Sequence, residues 1–104
     1  MAKARVLIDD VLVFNEGRLF AELKVFDVPK SKKFPEGIKV RCVLVDNESR
    51  LPMLLLDNHE PFGFHLHTKL PEDKNFRVAL QIKTYPEAIA CFLKEAKKVV
   101  SREK

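Results

Sequence analysis

The sequence predicts an α+β domain: a mostly antiparallel sheet of five or six strands with one C-terminal helix packed on one face. Three observations predict it. Along residues 5–56, runs rich in β-branched and aromatic residues alternate apolar and polar side chains at the period of a strand. Turn-forming groups punctuate those runs at Asn15-Glu16-Gly17, Pro35-Glu36-Gly37 and Asp46-Asn47-Glu48-Ser49. The C-terminal segment changes to helical spacing. At 104 residues, the chain has the length of one domain, 1–104, with enough apolar side chains for one core. Its 46% hydrophobic and 33% charged content excludes the compositions that stay disordered.

The elements follow in order. Residues 5–10 and 11–14 are short β-rich runs, and Asn15-Glu16-Gly17 supplies the residue types of a tight hairpin turn. Residues 18–28 alternate, with Leu19, Ala21, Leu23 and Val25 on one side and Arg18, Glu22 and Lys24 on the other. Pro29 ends that strand, and residues 30–37 form a polar loop. In residues 39–45, Val40, Cys42 and Leu44 oppose Lys39, Arg41 and Val43, which makes Cys42 a small core residue. Residues 51–56 give another strand, which runs into Asp57-Asn58. After a bend and a second loop at 70–75, residues 76–82 alternate once more, with Val78, Leu80 and Ile82 on one side.

Thr84-x-x-Glu87 has the form of a capping box, with Pro86 in the first turn, where its missing N–H costs nothing. Ile89, Phe92, Leu93, Ala96, Val99 and Val100 then form one apolar stripe, opposite Lys94, Glu95, Lys97 and Lys98. Cys91 falls away from that stripe and reads as the exposed, more reactive thiol.

No apolar run approaches a membrane span; the most apolar of note is Leu54-Leu55-Leu56. The N-terminus lacks the apolar region and cleavage site of a signal peptide. Cys42 and Cys91 lie far apart with no metal-ligand spacing and read as free thiols in a reducing cytoplasm. The net charge of +4 fits contact with nucleic acid or an acidic partner. Part of it is local, in Lys30, Lys32 and Lys33 and in Lys94, Lys97, Lys98, Arg102 and Lys104, where a solvated face is the plainer reading.

The chemistry concentrates in residues 57–67, Asp57-Asn58-His59-Glu60-Pro61-Phe62-Gly63-Phe64-His65-Leu66-His67, which hold all three histidines. In extended backbone His65 and His67 project to one side. Such a pair can act as base and acid in phosphodiester transesterification. The same pair can hold a transition metal, with Asp57, His59 or Glu60 completing the shell, or can simply form hydrogen bonds in a loop. Lys39 and Arg41 on the neighbouring strand can bind phosphate, or can be a solvent-facing strand surface. Phe62 and Phe64 can stack on unpaired bases or close the end of the core.

Several of these segments resemble the TumE-type toxins of prokaryotic type II toxin–antitoxin modules. The similarity runs from Lys3-Ala4-Arg5-Val6-Leu7 through Glu16-Gly17 and residues 21–29, ending in Val28-Pro29, to Lys39-Val40-Arg41. Its most specific part is Asp57-Asn58 followed by Gly63-x-His65-x-His67, and residues 88–93 resemble the family's closing helix. The chain departs from the family's basic, polar pattern at Pro61, Phe62, Phe64 and Leu66. The resemblance implies a small toxin neutralised by a DNA-binding helix-turn-helix antitoxin, acting on RNA or the translation machinery. Asp57, Asn58, His65 and His67 carry over by position.

The leading expectation is a metal-independent, cofactor-free ribonuclease-like toxin. In it His65 and His67 are the acid–base pair, Asp57 orients one ring, Asn58 contacts substrate, and Lys39 or Arg41 holds phosphate. His59 is expected to matter less, for lack of a fixed orientation. The alternatives are a non-catalytic protein that binds a partner through the Phe62-Gly63-Phe64 bend and a metal-binding module. The oligomeric state is left open, a homo-oligomer included.

Overall fold

Alternation at period two sorts each strand's side chains onto two faces, and the observed register keeps that sorting across the sheet apart from irregularities at Val6/Ile8 and Leu44/Val45. The computed structural model describes residues 4–102. Six strands lie in chain order in one antiparallel sheet: β1 (Arg5–Phe14), β2 (Leu19–Asp27), β3 (Ile38–Asp46), β4 (Pro52–Asp57), β5 (His65–His67) and β6 (Val78–Ala79). A single helix, α1 (Tyr85–Arg102), packs on one face. Lys3 of the expected first strand and Lys104 of the second basic cluster lie outside the described residues.

Across the middle of the sheet Leu23 stands beside Cys42, Cys42 beside Leu56, and Leu56 beside Leu66. These four, with Leu19, Ala21, Val25, Val40, Leu44 and Leu54, form the core with Ala88, Phe92 and Ala96 of α1. Small alanines one turn either side of Phe92 let the helix approach closely while the ring fills the centre. The capping box forms as expected: the Thr84 hydroxyl accepts the Glu87 N–H at 3.4 Å, and the Glu87 carboxylate accepts the Thr84 N–H at 3.2 Å. Among the described residues, no helix is long and apolar enough to cross a membrane.

Four local expectations need correction. Residues 5–14 are one strand with a register irregularity between Val6 and Ile8, not two separate runs. Residues 76–82 contribute only Val78 and Ala79 to the sheet. Regular pairing with β5 covers only Ala79 and Val78; the Leu80 N–H makes one further bond to the Phe64 carbonyl at 2.9 Å, and Leu80 and Ile82 pack on the core edge. Cys91 is half-buried against the core rather than exposed, and burial, then the Glu95 carboxylate, push its thiol pKa up. Val43 shares the face of Lys39 and Arg41 yet is 4% exposed, so that face is not wholly solvated.

The loop between β2 and β3 is closed by Gly37. Its φ is +75°, and a Cβ there would lie 3.0 Å from the Val28 carbonyl oxygen. The Gly37 carbonyl in turn accepts the Val28 N–H at 2.8 Å, which sets where β3 begins.

Candidate functional site

The face of the sheet opposite α1 carries a row of polar side chains across three strands. Arg41 of β3 is the register partner of Asp57 on β4, and Asp57 is the partner of His65 on β5. One step along, Val43, Leu55 and His67 line up in the same way. His65 and His67 therefore do share a side, and their ring centroids lie 5.0 Å apart. Lys39 lies two residues before Arg41 on the same face, with Nζ 6.0 Å from the Phe34 ring centroid.

The pair is not open to solvent. His65 is 1% and His67 7% exposed. The covering residues come from the segments either side of β5. Phe62, 42% exposed, meets His59 and His65 edge-on with ring centroids at 5.6 Å in both cases. The Arg77 guanidinium stacks on the Phe62 ring, 3.9 Å from its centroid. Leu70 and Pro71 share a shallow surface cavity with His67.

His59, expected to have no fixed orientation, is held from two sides. Its Nδ1 is 3.2 Å from Asp57 Oδ2, and its ring packs edge-on to His65 at 5.0 Å. The other Asp57 oxygen, Oδ1, accepts the Asn58 N–H at 2.7 Å. Asp57 therefore orients a histidine, but the ring it touches is His59.

His65 has its tautomer fixed. Its Nδ1 is 2.7 Å from the Gly63 carbonyl, an atom that only accepts, so Nδ1 carries the proton and Nε2 of the neutral ring keeps a lone pair. Gly63 reaches that position with φ of +61°. Burial pushes the His65 pKa below its ordinary value, against the pull of the Gly63 carbonyl and the Asp57 carboxylate. Among the described residues, His65 Nε2 is buried and has no hydrogen-bond partner, and the same holds for His67 Nδ1 and Arg77 Nε. Asp57, His59 and His65 each offer a ligand atom, all within 4.8 Å of one another.

The remaining expected site residues divide. Asn58 sits beside the cluster, but its side chain is committed to the fold: Oδ1 accepts the Val40 N–H at 2.9 Å, and Nδ2 donates to the Ile38 carbonyl at 2.8 Å. Phe64 packs against the core and points away from the histidines, into a cavity of about 260 Å³ shared with Phe34, Ile38 and Phe62. No histidine lines that cavity. Sequence reasoning named His59 only as a possible metal ligand and expected it to matter less for catalysis, and it missed Arg77. His59 was signalled by Asp57-x-His59, the same spacing that marked His65 and His67. Arg77 had no signal, because only the return of the 70–77 segment over Phe62 brings it there.

Scans of family models, curated proteins and solved structures return no match to this chain.

Proposed function

We propose that this protein acts on RNA as the toxin of a toxin–antitoxin pair, cleaving phosphodiester bonds at the cluster of Asp57, His59 and His65. The observation that carries the reading is the cross-strand row Arg41–Asp57–His65, which sets an exposed cation on β3 next to Asp57 and two strands from buried His65 on the helix-free face. Arg41 is exposed, as a phosphate-binding group must be. Transesterification needs a base for the 2′-hydroxyl and an acid for the leaving oxygen. The neutral His65 ring, with its lone pair on Nε2, has the character of the base, and the covering Phe62 ring must move aside for the 2′-hydroxyl to reach it. His59, backed by Asp57 and with 29% of its side chain exposed, is the ring that reaches substrate as the acid. His67 supports His65 from behind. The toxin assignment and the helix-turn-helix antitoxin as partner rest on the Asp57-Asn58…Gly63-x-His65-x-His67 resemblance.

Expression in a prokaryotic host tests this. Wild-type protein should arrest growth, and His59→Ala and His65→Ala should each relieve it, since loss of an acid or base costs about 10²- to 10⁴-fold. The double variant should be little worse than either single one. Circular dichroism confirms that each variant is folded. If folded His59→Ala and His65→Ala remain as toxic as wild type, the cluster does no chemistry. The exposed Phe62, rimming the cavity beside the bend, then becomes the better account, with Phe62→Ala as the variant that relieves toxicity.

A further inference from the structure

We infer that Asp57, His59 and His65 form a binding site for a transition-metal ion of the zinc class. Three independent features point there. The ligand atoms converge: one from each of Asp57, His59 and His65 lie within 4.8 Å of one another, and Asp57 Oδ2 and His59 Nδ1 are 3.2 Å apart. A tetrahedral ion with bonds of about 2.0–2.2 Å places its ligands about 3.3–3.6 Å apart. Two of the three are therefore already at ligating separation, and the third lies near enough for a small side-chain movement to complete the set. The His65 ring is presented as a metal-bound imidazole is: Nδ1–H is tied to a backbone carbonyl, and Nε2 is left as the donor atom. Finally, that Nε2 is buried and lacks a hydrogen-bond partner, a cost that an ion at this position removes.

The donor set decides the class of ion. Two imidazoles and one carboxylate suit zinc, nickel or cobalt, whereas magnesium and calcium favour all-oxygen shells. Three protein ligands leave a fourth position open, as in sites where an ion also carries water. Phe62, with Arg77 stacked on its ring, covers the cluster and sets how far that position opens to solvent. His67 stands beside His65 but outside the ligating group. The ion uses the same lone pairs as free acid–base chemistry, so the metal-loaded cluster cannot serve as the free His59–His65 acid–base pair, and metal content is measured independently of growth arrest.

Titration of the untagged protein with zinc chloride by calorimetry tests the site, with cobalt(II) absorption as the geometric readout. Wild type should bind one ion, its melting temperature should rise with zinc by mass action, and cobalt should give the intense visible bands of a tetrahedral site. His59→Ala and Asp57→Asn alter partly exposed side chains that the core does not need. Each should weaken zinc at least about tenfold while remaining folded. Magnesium should produce no shift. Zinc binding in which wild type and both variants agree would overturn the assignment and reduce it to surface association. Absence of one-to-one binding to wild type would overturn it outright.

Discussion

Asp57 and Asn58 are neighbours with different employment, and the difference is legible in their hydrogen bonds. Asp57 directs one oxygen at the His59 ring and the other at the next backbone N–H. Asn58 behaves as a piece of sheet: its amide accepts from Val40 and donates to Ile38, extending the β3–β4 ladder one residue past the end of β4. Val40 is fully buried, so its N–H has no water to turn to if the Asn58 side chain is removed. Asn58→Ala should therefore cost about 1–3 kcal/mol in urea unfolding, the penalty for stranding a buried donor. Asn58→Asp keeps the acceptor and should cost less at the Val40 amide, measured by hydrogen exchange, while losing the bond to Ile38. An Asn58→Ala variant as stable as wild type would show that this bracing is dispensable. Buried thiols follow similar logic. Desolvation pushes Cys42 up to about 12, which leaves it inert as a nucleophile at neutral pH.

Helix α1 shows how far periodicity can be trusted. Its phase places Val99 against the core and Lys98 outward, where Lys98 has 61% of its side chain exposed and pairs with Glu95 at 2.9 Å. Val99→Asp puts a carboxylate on a half-buried apolar surface and should cost about 1–3 kcal/mol. Lys98→Asp removes an exposed ion pair worth about 0–1 kcal/mol and should be mild. Thermal melts separate the two, and equal midpoints would mean that the helix is rotated from this phase. The same periodic reasoning set β2 and β3 correctly because each has a long partner on both sides, so alternation and register agree. It overextended the strand at 76–82, where alternation continues but regular pairing with β5 covers only Val78 and Ala79. Composition also hid that β1 is continuous, because Asp9 and Asp10 interrupt the apolar pattern of an edge strand that faces solvent. The histidine cluster was half legible for a related reason. His65 and His67 obey strand geometry, whereas His59 and Arg77 reach the site through loops whose path no period encodes.

The sheet divides the molecule into a face covered by α1 and a face without a helix. Helix α1 covers the leucine-rich face, and its basic residues, Lys97 and Lys98 among them, point away from the histidines. On the other face, cover extends from β5 to Val43 of β3, and Lys24, Lys39 and Arg41 lie on the strands alongside. A nucleic-acid strand gripped for chemistry at Asp57–His59–His65 must therefore lie along Lys39 and Arg41, whereas simple attraction to net charge would use the helix lysines equally. Salt dependence distinguishes these. Binding of single-stranded RNA should weaken as salt rises, with a slope set by the number of phosphates neutralised, about 0.7 per contact. Lys39→Ala and Arg41→Ala should each reduce that slope by about 0.7, and the double variant by about twice as much. Lys98→Ala, on the far side of the sheet, should leave it unchanged. Both sheet variants should remain folded, because neither side chain contributes to the core. If Lys98→Ala lowers the slope as much as Arg41→Ala, RNA is responding to overall charge and the helix-free face has no privileged part in binding it.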